Sequence, residues 1–368
     1  MSLAYRFGHY SMPTCVHIVK NAQPECTGIA RVVADLAKHS SMHGYQSSIL
    51  FLGDGPLVKS TQDAGIPAAA VQWSGRRNDL AGARRVWRWM RAHPANVAHL
   101  HRGAGALRLL CRLAGAKAVV QHVHGPALEP HLHSVSNLTF RGADAVVACS
   151  QSVADLLRGC APEVIYAGID LPADPPPPPP LSGPLRLGLL SRLVPLKNIE
   201  SVIDATARLV QMGINVQTEI AGTGPSESAL RERAAESSAA DRIHFLSWQQ
   251  NPAALLASWH ILLMPSTHEG FPVAALEAMR AARPVFASHV GGLPELVADG
   301  RTGRLFTPGD TEALIRSIAE ADQDRTQLAR MGREGWERAR SMFSVQEAAR
   351  RTTALYDRLL NRTPGGAA

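Results

Sequence analysis

Short apolar runs alternate along the chain with stretches of helical period. Before residue 173 the order is "VHIVK", "GIARVVADLAKHS", "SSILFLG", "AGARRVWRWMRAH", "NVAHLH", "AVVQHVHG", "ADAVVACS" with "QSVADLLRGC", and "EVIYAGID". The alternation resumes with "LRLGLLSRL", "NIESVIDATARLVQMG", "VQTEIAGTG", "SESALRERAAESS", "RIHFLS", "NPAALLASW", "HILLMPS", "PVAALEAMRAA", "PVFAS" and "LPELVADG". Buried strands alternating with amphipathic helices predict parallel sheets covered by helices on both faces. The run "ADPPPPPPLSGP" can only be extended and separates the two series. The pattern therefore predicts an α/β protein of two doubly wound, Rossmann-like domains facing across a cleft. It divides the chain into a first domain of residues 1–172, a linker of 173–184 and a second domain of 185–345, and predicts that the helical pattern of 346–368 packs back on the first domain.

In such sheets ligands sit at the carboxyl ends of the strands. The exit of "HILLMPS" leads into "HEGFPVAALEAM", with Glu269 on the loop and Glu277 eight positions on. Pro272 suits a first helical turn, so the helix is predicted to begin there. A helix start preceded by glycine offers free N–H groups and a positive dipole end, which suit phosphate. Carboxylates beside it suit sugar or ribose hydroxyls instead. Taken singly, two glutamates are most simply solvated charges. Glu277 departs from that, lying among Ala274, Ala275, Leu276, Ala278 and Met279 with no other charge before Arg280. Another strand end, "LGLLSRLVPLKN", supplies Arg192 and Lys197 for a diphosphate. "IAGTGP", with Gly222, and "SHVGGLPELV" are further glycine-rich strand exits, each of which alone reads as a tight turn.

Together "SRLVPLKN", "IAGTGP", "FLSW", "PSTHEGFPVAALEAM", "PVFASHVGGLPELV" and "DGRTGRLFTPGD" resemble the donor domain of the retaining, nucleotide-sugar-dependent glycosyltransferases of family four, with the GT-B fold. The resemblance implies that Arg192 and Lys197 hold the diphosphate and Glu277 the ribose hydroxyls. It implies that Glu269 contacts the donor sugar, near the backbone amides of Gly270, Phe271 and Val273. In the first half "QHVHG" resembles the family's strand ending in His-Gly, which implies a donor-sugar contact for His124 at the reaction centre. "ECTGIARVVADLA" resembles the loop and first helix, with Gly28 in a Thr-Gly pair where Gly-Gly is common. "YAGIDL" carries Ala167 where the family has Asn.

Composition changes this picture little. With 368 residues, 45% hydrophobic and 19% charged, the chain is globular and long enough for two cores. A net charge of +7 favours anionic partners without choosing among them. Five scattered cysteines without a C-x-x-C pair argue against a disulfide framework or a cysteine zinc site and read as a reduced, cytoplasmic setting. No apolar run reaches the length of a membrane span, and the opening lacks the apolar segment of a signal peptide.

Fifteen histidines invite a metal, notably His99 with His101, His122 with His124 and His131 with His133. Polar residues at strand ends near a cleft are the preferred explanation, and no metal is expected to be required. "DQD" at 322–324 reads as exposed helix. Within "GRRNDLAGARRVWRWMRAH", Leu80, Ala83, Trp87 and Met90 follow helical spacing, while Arg84, Arg85, Arg88 and Arg91 take another face. That helix suits either a domain core or an anionic membrane surface, and no nucleic-acid-reading module accompanies it.

The resemblance thus implies sugar transfer with retention from a nucleotide-diphosphate sugar, UDP-sugars favoured and GDP-mannose an alternative, to a glycan or lipid-linked acceptor. No cofactor beyond the donor is expected. A sugar-nucleotide 2-epimerase would need the same nucleotide site without an acceptor, and a non-catalytic binding module would keep Arg192 and Lys197. A phosphorylase would need a lysine in a cofactor setting, which the chain does not offer convincingly.

Overall fold

The structure is a computed structural model that describes residues 12–20, 22–23, 27–76, 78–101, 105–125, 140, 142–249 and 251–361, without the side chain of Thr27. His131, His133 and Cys26 lie outside the described residues. The first sheet contains β1 (Thr14–Val19), β2 (Gln46–Phe51), β3 (Ala68–Ala70), β4 (Val97–Leu100), β5 (Ala118–Val123), β6 (Ala145–Ala148) and β7 (Glu163–Val164). The second contains β8 (Leu185–Leu190), β9 (Val216–Ala221), β10 (Ile243–Leu246), β11 (Ile261–Met264), β12 (Val285–Ser288) and β13 (Gly303–Phe306). Their orders are β3-β2-β1-β4-β5-β6-β7 and β10-β9-β8-β11-β12-β13. Every pairing is parallel. In each sheet the order reverses beside the first strand, between β1 and β4 and between β8 and β11, which is where doubly wound folds bind ligands.

The helices of the first half are α1 (Thr27–Ser40), α2 (Pro56–Asp63), α3 (Leu80–Ala92), α4 (Gly105–Leu113) and α5 (Gln151–Leu156). Those of the second half are α6 (Glu200–Gln211), α7 (Glu227–Glu236), α8 (Ala253–Ser258), α9 (Val273–Arg280), α10 (Leu293–Leu296), α11 (Thr311–Gln323), α12 (Arg325–Met342) and α13 (Val345–Leu359). Among the described residues no helix is long and apolar enough to cross a membrane.

Three local expectations need correction. Pro272 does not open the helix. It is the extended N-cap residue, with φ −73° and ψ 120°, and α9 starts at Val273. On α3 the buried side is Gly82, Val86 and Met90, whereas Leu80 and Trp87 point outward among the arginines. Gly82 is drawn in because Asp79 caps the helix through the Gly82 N–H (2.8 Å) and Trp73 covers the turn, which rotates the buried stripe away from Leu80. The "DQD" segment is not continuous helix: Asp324 ends α11 and caps α12 through the Gln327 N–H, while Asp322 pairs with Arg325.

The proline run is extended but not a free spacer. Proline lacks a donor yet keeps its carbonyl, and buried Arg283 donates to the Pro177 carbonyl (2.8 Å) as well as to those of Ala257 and Leu256. His260 Nε2 lies 2.8 Å from the Pro180 carbonyl. The run is thereby strapped to the second sheet.

Helix α13 returns to the first sheet. Its buried positions Val345, Ala349, Thr352 and Tyr356 follow helical spacing. Tyr45 Oη donates to Asp357 (2.8 Å), and Arg358 pairs with Glu163 on β7. The two halves share apolar packing in which Val32, Val123 and Val153 meet Phe271, Leu276 and Leu293. Glu295 of α10 accepts the N–H groups of Gln151 and Ser152 at the start of α5 (2.8 and 2.9 Å).

Candidate active site

The carboxyl ends of β1, β4 and β5 face those of β8, β9 and β11 across a cleft of about 760 Å³, within the size range of small-molecule sites. Four cations, Lys20, Arg31, Arg192 and Lys197, and two carboxylates, Glu269 and Glu277, line it. The excess of positive charge suits an anionic ligand.

Residue by residue, β8 ends at Leu190 and delivers Arg192 exposed at the cleft edge. A single 3-10 turn, Pro195–Lys197, then brings Lys197 inward. Lys197 Nζ lies 2.6 Å from Glu269 Oε1, and the Ser266 hydroxyl donates to the same oxygen (2.8 Å). Glu269, though on a loop, is therefore buried and satisfied. Glu277 faces the cleft from α9 and pairs with Arg31 of α1, across the boundary between the halves.

Pro272 provides no side-chain cap to α9. The first amides of that helix, with Gly270, Phe271 and Val273 on the cleft wall, are left for a ligand. The ring of Phe271 is not available to one, because it packs on Tyr166 and Phe343.

Several cleft glycines are required by close approaches, Gly270 and Gly222 among them. A Cβ on Gly270 would lie 2.1 Å from the His124 carbonyl oxygen, where the two halves touch. Gly222 has φ +141°, and a Cβ there would lie 1.9 Å from the Ser191 carbonyl oxygen. Gly28 also lines the cleft, but with ordinary room beside Val273.

His124 lines the cleft, with Nε2 2.9 Å from His101 Nδ1. Burial lowers its pKa to about 4, so the ring is neutral near pH 7. Beneath it the paired histidines are not merely strand-end residues at the cleft edge. His17, His99 and His122 are buried on the same sheet face, and burial lowers the pKa of His17 to about 3 and those of His99 and His122 well below the ordinary value. His17 went unread in the sequence, although its alternation in "CVHIV" places it on the face that His99 shares.

Arg31 and Lys20 also escaped the sequence reading, while His101, read only as a metal candidate with His99, and Trp248, read only within "FLSW", prove to line the cleft as well. The position of Arg31 one turn into the helix that follows the first strand was the available signal, since that helix start faces the same cleft.

The sequence profile described as "Glycosyl transferases group 1" matches residues 177–338, and that described as "Glycosyltransferase Family 4" matches residues 27–172. The two matches lie end to end over both sheets, and the chain belongs to the family four glycosyltransferases. It is 34% identical over 230 residues to the MMP alpha-(1->4)-mannosyltransferase of Mycolicibacterium hassiacum, spanning 60% of this chain and 55% of that protein. It is 28% identical to the lipopolysaccharide core biosynthesis mannosyltransferase LpsB of Rhizobium meliloti, over 75% of this chain and 83% of that protein. Among solved structures, Anabaena Alr3699/HepE in complex with UDP-glucose superposes with a TM-score of 0.80 at 20% identity, over 94% of this chain and 99% of that one. The fold is GT-B.

Proposed function

We propose that the protein transfers a hexose, with retention, from a nucleotide-diphosphate sugar to a glycan or lipid-linked acceptor. The observation that carries this is the set around the start of α9: Lys197 on Glu269, Glu277 on Arg31, and uncapped amides between them in one cleft. Arg192 and Lys197 would hold the diphosphate, Glu277 the ribose hydroxyls, and Glu269 and His124 the donor sugar. The names of the mannosyltransferase relatives and the UDP-glucose bound to Alr3699/HepE make GDP-mannose and UDP-glucose the first donors to test.

In the reaction the bond from the anomeric carbon to the phosphate oxygen breaks as the acceptor oxygen attacks from the same face. The departing phosphate oxygen takes the acceptor proton. The cations and helix start stabilise the charge that develops on the diphosphate, so no metal need do so. The test is transfer from each donor to a panel of lipid-linked and soluble glycan acceptors, with the product linkage read by NMR. An α-linked product from an α-linked donor is expected; an inverted product overturns the retaining step.

Acceptor presentation at an anionic membrane belongs to the same proposal. Helices α3 and α4 pack side by side; Leu80 (76% exposed), Leu109 (60%), Leu113 (62%) and Trp87 (38%) are exposed on them, and so are Arg84, Arg88 and Arg91 of α3. Exposed apolar side chains with arginines on the same pair of helices suit an anionic interface. Sedimentation with phosphatidylglycerol vesicles, reduced in a Trp87→Glu, Leu113→Glu variant, is expected. Equal sedimentation of variant and parent would contradict it.

A further inference from the structure

We propose that His101, His122 and His124 form a binding site for one divalent transition-metal ion of the zinc type, open to the cleft, whose occupation withdraws His124 from the donor. The withdrawal rests on the reading of His124 as a donor contact; the metal site does not.

Side chains two apart on a strand share a face, and the registers of β1, β4 and β5 bring histidines of all three strands together on one face. His17 pairs with His99, and the His122–His124 and His101–His122 ring centres lie 4.1 and 5.3 Å apart. In the trio nearest the cleft one ring nitrogen of each residue lies within 4.8 Å of the others. His101 Nδ1 and His124 Nε2 are 2.9 Å apart. A tetrahedral zinc ion with ligand bonds of about 2.0–2.1 Å holds its nitrogens roughly 3.3 Å apart, so a small opening of that pair admits it.

The observation that points to a ligand is His122. It is 6% exposed, and neither ring nitrogen has a hydrogen-bond partner. A neutral imidazole always carries one N–H, and leaving a buried donor unmade costs about 1–3 kcal/mol. Its lone-pair nitrogen is equally unpartnered and free to take a metal, whose bond offsets the cost of burying the ring although the N–H stays unmade.

A second trio, His17, His99 and His101, is similarly close. There His99 Nδ1 is bonded to the Tyr356 hydroxyl and His17 Nδ1 to His101 Nε2 (3.0 Å). His17 and His99 are also sealed in the core, whereas His101 and His124 line the cleft and give an ion its way in.

The donor set is three nitrogens without thiolate or carboxylate. That selects zinc, copper, nickel or cobalt over magnesium or calcium. Three imidazoles leave a fourth position facing the cleft for water.

The test uses the full chain stripped with chelator, titrated with zinc against a chromophoric chelator, without donor. One zinc per chain is expected, and the cobalt(II) form should show the intense visible bands of a four-coordinate nitrogen site. His122→Ala should weaken zinc binding at least tenfold. If that buried variant fails to fold, His101→Gln, at the cleft wall, carries the same expectation. Zinc should also weaken UDP-glucose or GDP-mannose binding, with EDTA restoring it. Absence of stoichiometric zinc, or zinc affinity untouched by the variant that folds, overturns the site, and unchanged donor binding on loading overturns the withdrawal. Because zinc is read without donor, failure of the nucleotide-sugar reading leaves this result distinguishable.

Discussion

Each carboxylate of the cleft already holds a cation, Glu269 with Lys197 and Glu277 with Arg31. A buried carboxylate stripped of its cation is costly and would repel a diphosphate. Lys197→Ala therefore removes an attraction and exposes a repulsion together, and donor affinity is expected to fall about ten- to hundredfold, from a charged hydrogen bond of about 1.5–3 kcal/mol. Calorimetric titration checks this, and an unchanged Kd would contradict it. Glu277→Gln keeps the shape and loses the charge. It is expected to lower transfer at least a hundredfold with little change in melting temperature. Glu277 was legible because a charge in an apolar run demands a partner, and Glu269 only through the resemblance of its loop. Arg31 was not, since an arginine on an amphipathic helix reads as solvated, and its partner lies 246 residues away in the chain.

At the scale of elements, the central strands were readable because parallel strands buried on both faces give unbroken apolar runs. β3 is three alanines and β13 is "GRLF", sequences with no such signature. In α12 the apolar stripe is thin against its many charges, which hid it. The face of α3 was misread because its cap and Trp73, not hydrophobicity alone, orient the helix. The contact between the loop before α9 and the exit of β5 depends on Gly270. Gly270→Ala would place a Cβ against the His124 backbone, which cannot yield as a side chain can. Transfer is expected to fall at least a hundredfold with an unchanged far-UV circular dichroism spectrum; full activity would show that the halves need not meet there.

For the whole molecule, the buried histidines tie stability to pH. Unfolded imidazoles take up protons below about pH 6.5, whereas burial holds His17 neutral down to about pH 3 and keeps His99 and His122 far below the usual range. The unfolded chain thus binds more protons as pH falls. The stability is fully present above about pH 6.5 and is lost toward pH 4, by up to about 1.4 kcal/mol per pH unit for each such histidine. In chelator, the urea midpoint is expected to drop clearly between pH 7.5 and 5.5, and a flat midpoint would contradict this burial. The two-sheet architecture was legible from alternation alone, but the histidine array was not, because it is assembled by register among three strands.

The central claim is that the cleft between the two sheets is built for a nucleotide-diphosphate sugar. Calorimetric titration of the metal-free protein with UDP-glucose and with GDP-mannose, EDTA present, tests it most directly. Saturable binding of one of them at one per chain, weakened at least tenfold in Lys197→Ala, is the predicted result. No binding of either, or binding that Lys197→Ala leaves intact, would contradict the account.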